Sequence, residues 1–191
     1  RFTTPNMENL ASQGMKFSQA YATAICSPTR VSLMTGQNAA RHRVYCWTLQ
    51  KDKSPEYNHP VLERTKWNLN GLVSKKGLKQ SFYSNTTLPM QLKKAGYHTI
   101  HAGKGHFGAF DTSGENPSDL GFDVNIAGSA IGGLGSYHGD KNFSGKWRGA
   151  SKIWDVPGLK KYHGQKINIT EAITREALSA MDNAVCKEKK P

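Results

Sequence analysis

Cys26-Ser27-Pro28-Thr29-Arg30, followed by Thr35-Gly36, is the stretch on which the reading of this chain turns. Pro28 suits the first turn of a helix, where its missing N–H would have had no partner. Gly36 suits the residue just past a helix C-terminus, where a positive φ is needed. Residues 28–35 therefore read as a short helix. A helix N-terminus carries unpaired N–H groups and partial positive charge, so it receives anions readily. A nucleophile placed there, with Arg30 one turn inside, suits attack on a negatively charged ester. Cys26 also reads as a small buried hydrophobe at a helix entry, but that role requires neither Pro28, nor Arg30, nor the Thr-Gly stop.

A second stretch, Gly96-Tyr97-His98-Thr99-Ile100-His101-Ala102-Gly103-Lys104-Gly105-His106-Phe107-Gly108, follows Leu88-Pro89-Met90-Gln91-Leu92-Lys93-Lys94-Ala95. Here Thr87 caps a helix, Gly96 stops it, and Tyr97 to His101 extends as a strand. A third stretch runs from Thr4-Pro5-Asn6 to Ala20-Tyr21-Ala22. Thr4 is placed to cap and Pro5 to open a helix, with Met7, Leu10 and Ala11 on one face. Gly14 closes it, and Phe17 to Ala22 has strand character. Leu120-Gly121-Phe122-Asp123 reads as a loop entering another strand.

These residues resemble the type I sulfatases. The first stretch matches C-x-P-x-R-x-x-x-x-T-G, and the second matches G-Y-x-T-x-x-x-G-K-W-H-L-G with two departures. Gly105 stands where the family commonly has tryptophan, which is expected to open the pocket, and Phe107 stands where it commonly has leucine. The resemblance runs from about residue 4 to about residue 126. It implies an α/β fold, part of an alkaline-phosphatase-like sandwich with helices packed on a mixed sheet, in line with the strand–helix alternation. It implies that a maturation enzyme oxidises Cys26 to formylglycine, whose hydrate is the nucleophile and also a metal ligand. Ca2+ or another divalent cation is the implied cofactor. Arg30 would stabilise the hydrate, Lys104 would hold a sulfate oxygen, and His106 would orient the hydrate or help remove its proton. The implied reaction is hydrolysis of a sulfated small molecule or glycan, with a covalent sulfo-enzyme on the way.

Family members carry an acidic pair on a strand ahead of the lead-in helix and a later Asp-Asn/His metal pair. This chain opens at Arg1 and closes at Lys189-Lys190-Pro191. The expectation is a partial catalytic domain over 1–191, with the first metal-binding strand and the C-terminal part absent, inactive by itself. Two other readings stay open: a phosphatase or phosphonate hydrolase of the same superfamily, and a non-catalytic protein that keeps the fold. The family also implies a periplasmic or secreted location, or a lysosomal one if the source is eukaryotic.

The chain carries 26 Lys+Arg against 14 Asp+Glu, a net charge of +12. The basic residues are scattered and no nucleic-acid motif accompanies them, which argues against nucleic acid as a partner. No apolar run approaches the roughly 20 residues of a membrane span. Cys46 and Cys186 are left to pair or stay free. Asn85, Asn142 and Asn168 each open a glycosylation-type triplet. Residues 46–86 read as an irregular insertion over the site and 109–166 as loop-rich. The glycine-rich segment 128–136 lacks a phosphate-loop ending and reads as a turn near the pocket, with Ser136, Tyr137 and His138 as candidate lining. Thr170 is placed to cap a last amphipathic helix, with Ile173, Ala177, Leu178 and Met181 as its core stripe.

Overall fold

A computed structural model of the chain describes residues 2–55, 60–63 and 65–191. Its elements in chain order are helices α1 (Pro5–Gln13), α2 (Cys26–Thr35) and α3 (Ala39–His42), strands β1 (Leu72–Val73) and β2 (Phe82–Tyr83), helix α4 (Leu88–Lys94), strands β3 (Ile100–Ala102) and β4 (Val124–Ile126), and helix α5 (Ile169–Asp182). Between β4 and α5 the chain is built from short 3-10 turns.

The strands form two parallel ladders, β1 with β2 and β3 with β4. His101 pairs with Asn125 and Ala102 with Ile126 in the second ladder. An antiparallel bridge between Gly71 and Gly108 joins the two regions. Gly71 is left-handed at φ 70°, and a Cβ there would run into the Phe107 carbonyl oxygen and lie 3.1 Å from the Gly108 Cα, so only glycine lets the backbones approach.

Two apolar clusters hold these pieces. Val31 and Met34 of α2 pack with Val44, Leu72, Phe107 and Leu120. Ile126, Ile131, Phe143, Leu159, Ile169 and Ala172 form the second cluster, where α5 lies on β3 and β4. Parallel strands covered by helices make the class α/β, as read from the sequence.

Several local expectations hold. Helix α2 begins at Cys26, two residues ahead of the predicted start, and ends at Gly36, which is left-handed at φ 67° with its N–H on the Ser32 carbonyl. Gly96 turns the chain at φ 94° after α4, and Leu120 to Asp123 leads into β4.

Others are corrected. Phe17 to Ala22 forms no strand; it has no ladder partner among the described residues, and Phe17 and Tyr21 are exposed. Helix α1 does end before Gly14, but that glycine is extended at φ −120° and makes no left-handed cap. Neither Thr4 nor Thr87 caps with its side chain; the Thr87 hydroxyl instead donates to the Leu120 carbonyl at 2.6 Å. Asn168, not Thr170, caps α5, its Oδ1 accepting from the Thr170 N–H at 2.9 Å. On α5 the covered face is Ile169, Ala172, Ile173 and Ala177, while Leu178 and Met181 are exposed.

The stretch 46–86 is not merely an insertion. It supplies β1 and β2, and it buries Leu69, Leu72 and Val73. Residues 56–59 and 64 of that stretch lie outside the described residues. All three cysteines are thiols, Cys46 buried and Cys186 exposed. Among the described residues no helix is long and apolar enough to cross a membrane.

Candidate active site

Helix α2 sets the first two candidate residues. Cys26 is its first residue, and Arg30 follows one turn later on the same face. Ser27 anchors this end from below: fully buried, its hydroxyl accepts the Thr48 N–H at 3.1 Å. Behind it, Thr29 accepts the Thr23 N–H at 3.0 Å, which ties the entering chain to the helix.

Arg30 then reaches across to the loop that follows β3. Its Nε donates to the Gly105 carbonyl at 2.5 Å, and its Nη2 donates to the Lys104 carbonyl. Its guanidinium also lies 5.1 Å from the centre of the Phe107 ring, within cation–π range. Phe107 meets the His101 imidazole edge-on at 5.6 Å, and His101 meets Phe122 edge-on at 5.2 Å. Arg30 thus rests on an aromatic stack that runs from buried Phe107 through His101 to half-buried Phe122. Burial lowers the Arg30 pKa from its ordinary value, opposed by the neighbouring Cys26. Burial and the Arg30 charge both lower that of His101.

His106 is the most enclosed of the four, 1% exposed. Its backbone is left-handed at φ 54°, held by its N–H on the Ser129 carbonyl at 2.7 Å. Its Nε2 lies 2.5 Å from the Thr48 carbonyl. A carbonyl only accepts, so Nε2 carries the proton and Nδ1 carries the lone pair. That Nδ1 is buried and, among the described residues, has no hydrogen-bond partner. Burial lowers the His106 pKa to about 4, with the Lys104 and Arg30 charges adding to the effect and the Thr48 bond opposing it. The imidazole is therefore neutral at neutral pH, with an open acceptor. Gly132 packs on the ring: a Cβ there would stand 2.7 Å from Nδ1.

Lys104 is exposed. Gly105 corrects an expectation. It does not open a pocket, because a Cβ at that position would meet the Ser129 carbonyl oxygen at 2.8 Å and the Ser129 N at 3.0 Å. The loop backbone is clamped there, so tryptophan would not fit this arrangement.

Sequence reasoning named the four candidate side chains but not their supports. Thr48 acts through its backbone, which no residue type announces. Gly132 and Ser129 sit in the glycine-rich segment, read only as a turn near the pocket. Of the residues proposed to line that pocket, Tyr137 borders a cavity beside Lys104. Ser136 is buried and its hydroxyl accepts the His138 N–H at 3.1 Å. His138 is exposed.

Among the described residues no group of three or more His, Cys, Asp or Glu side chains is arranged to hold a metal ion. The donors present do not by themselves make a site for the divalent cation, and its coordination is not assigned to them.

The chain is similar to known sulfatases in sequence and in fold. The Sulfatase family model matches residues 1–187. An arylsulfatase of Klebsiella aerogenes is 30% identical over 138 residues, covering 72% of this chain and 25% of that protein. A sulfatase of Formosa agariphila is 33% identical over 128 residues, covering 66% of this chain and 21% of that protein. The crystal structure of Ps i-CgsB in complex with k-i-k-neocarrahexaose superposes with a TM-score of 0.61 at 26% identity, covering 96% of this chain and 37% of that one. The chain thus spans a quarter or less of these two sequence relatives. With a family match across nearly its whole length, the chain belongs to the sulfatase family.

Proposed function

We propose that this chain carries the nucleophile and the flanking cationic groups of a sulfate ester hydrolase. Cys26, converted to formylglycine by a maturation enzyme, is the nucleophilic position; Arg30, Lys104 and His106 act beside it. The observation that carries this reading is the meeting of two motifs far apart in sequence. Arg30 of the first bonds the backbone of Lys104, 74 residues away, in the second.

Sulfate ester oxygens are negative and repel a nucleophile. The N-terminus of α2, the Arg30 guanidinium and the Lys104 ammonium offset that repulsion at one place. Formylglycine supplies a hydrate oxygen as the attacking group, which an unmodified thiol does not. Arg30 is held by two carbonyls and the Phe107 face, so its charge stays beside position 26. Exposed Lys104 is free to reach an ester oxygen. His106 holds its proton on Nε2 against Thr48 and accepts another on Nδ1. On this reading the substrate is a sulfated small molecule or glycan, met in the periplasm or secreted space, or in a lysosome if the source is eukaryotic.

The test is turnover by the native, mature protein on paired aryl sulfate and aryl phosphate. Sulfate turnover should dominate, and Cys26→Ala should lower it by about a thousandfold or more, as loss of a nucleophile does. Preferential phosphate turnover would assign the protein to a phosphatase branch of the fold. Unchanged turnover in Cys26→Ala would remove position 26 from the chemistry.

A further inference from the structure

His101 lies in the middle of β3, opposite Asn125 of β4, on the strand that leads into the Lys104 loop. It is 8% exposed. Its ring meets Phe107 at 5.6 Å and Phe122 at 5.2 Å between centres, edge-on in both cases. Gly128 closes on the same ring, since a Cβ there would stand 2.7 Å from the His101 Nδ1. The imidazole is therefore wedged, and it fixes Phe107 against itself. Phe107 in turn carries the Arg30 guanidinium, 5.1 Å from its centre. One chain of ring contacts thus runs from the β3–β4 ladder to the helix that begins at Cys26.

Core packing by itself does not call for an imidazole at this place. The His101 Nδ1 is buried and has no hydrogen-bond partner among the described residues. A buried polar atom that gives up water and gains no partner weakens the fold. Asn125, across the ladder, is engaged elsewhere: its Nδ2 donates to the Asn116 side chain and the Gly128 carbonyl, and its Oδ1 accepts the Gly128 N–H. What a flat ring supplies is a fixed plane for Phe107. A branched aliphatic side chain fills the same space and leaves the Phe107 ring free to tilt. Imidazole is also the smallest aromatic ring, which suits the close approach of Gly128. Burial first, then the Arg30 charge, lowers the His101 pKa, with the Asn125 side chain and the Lys104 backbone opposing. At neutral pH the ring is therefore neutral and sets no second cation against Arg30. The motif leaves position 101 open and commonly has leucine at 107, so the stack belongs to this chain rather than to the shared pattern.

We propose that His101 is a positioning residue for the reaction at position 26: by fixing the Phe107 ring it holds the Arg30 guanidinium beside the nucleophile. This inference rests on the sulfate-ester reading above.

The full-length, mature protein is compared with His101→Leu, His101→Phe, Phe107→Leu and the double variant His101→Leu/Phe107→Leu. Turnover of 4-nitrophenyl sulfate gives kcat and KM, and thermal unfolding gives stability. The hold on Arg30 is read by NMR, from solvent exchange of its Nε–H in protein carrying isotope-labelled arginine. In the parent this N–H is held by the Gly105 carbonyl. In His101→Leu, kcat should fall about threefold to fivefold, the scale of one cation–π contact, and KM should stay within about twofold of the parent. The Arg30 Nε–H should exchange faster by a similar factor. The unfolding midpoint should match or exceed the parent's, because the unpartnered nitrogen is gone. His101→Phe should show the opposite order. It keeps a flat ring and should recover most of the kcat and the slow exchange, while the larger ring overpacks against Gly128 and lowers the midpoint. Once Phe107 is leucine, leucine at position 101 should change kcat no further.

Activity that follows stability in both single variants would mark His101 as a support of the fold alone and overturn the proposal. Parent-like kcat and exchange in His101→Leu would do the same, as would an undiminished loss in the Phe107→Leu background. A parent that hydrolyses no sulfate ester would sink the sulfate-ester reading, and the Arg30 exchange then decides by itself. Faster exchange in His101→Leu would retain His101 as the residue that seats Arg30, and unchanged exchange would remove it.

Discussion

Helices α1 and α2 have nearly the same length, 9 and 10 residues, and each opens near a proline. Their fates differ. Helix α1 buries nothing: Met7 and Leu10, its apolar face, are 70% and 73% exposed. Helix α2 buries Ser27, Pro28, Val31 and Met34 and is bonded at its N-terminal end to Thr23 and Thr48. Both helices have legible start and stop signals. What separates them is contact with distant segments, and only the second helix holds candidate chemistry. A functional side chain needs a fixed position, and here that comes from long-range packing rather than from the local pattern.

Truncation should show the contrast most strongly. Met34→Ala in α2 should destabilise the chain by about 2–5 kcal/mol, the usual cost of a large-to-small change in a core. Leu10→Ala in α1 should stay within about 0.5 kcal/mol, as exposed substitutions do. Denaturant unfolding of the two variants checks this, and equal effects would erase the distinction between the helices.

The pH dependence of stability comes next. The folded-state pKa of His106 lies near 4, below its ordinary 6.5. Between those values the unfolded chain takes up a proton that the folded chain refuses. Stability is therefore fully present above about pH 6.5, falls as the pH drops toward 4, and then levels off. The total loss is about 3 kcal/mol, from roughly 1.4 kcal/mol per pKa unit. Unfolding midpoints measured from pH 7 to pH 4 should show this decline, and His106→Gln should flatten it.

Gly132→Ala tests how tightly the second motif is held. The added methyl meets the His106 ring, which has no free space to leave. Overpacking of this kind costs about 1–3 kcal/mol, and turnover should fall because the imidazole is displaced. The smallest effect is expected for Phe107→Leu, which restores the common family residue and removes the ring under Arg30. It should cost about 1 kcal/mol in kcat/KM, the size of one partly desolvated cation–π contact. An unchanged kcat/KM would show that the two carbonyls alone hold Arg30.

The same contrast explains what the sequence could and could not disclose. The end of α2 was legible because Gly36 occupies a left-handed position that other residues resist. The entry to β4 was legible from Leu120 to Asp123. The strand expected at Phe17 to Ala22 failed because a strand needs a partner, and composition does not supply one. The α5 cap was assigned two residues late because Asn168 and Thr170 both have capping side chains. The burial of Ile169 between them places the helix start earlier. The Thr48 carbonyl and the clamp around Gly105 were invisible because both are backbone contacts, fixed only once the chain is folded.

The most direct test of the central claim is mass spectrometry of the peptide spanning Cys26, from the protein matured in its native source. The account predicts a peptide lighter than the cysteine form and reactive toward hydrazine, the signature of formylglycine. An unmodified cysteine peptide from protein that turns over a sulfate ester would contradict it.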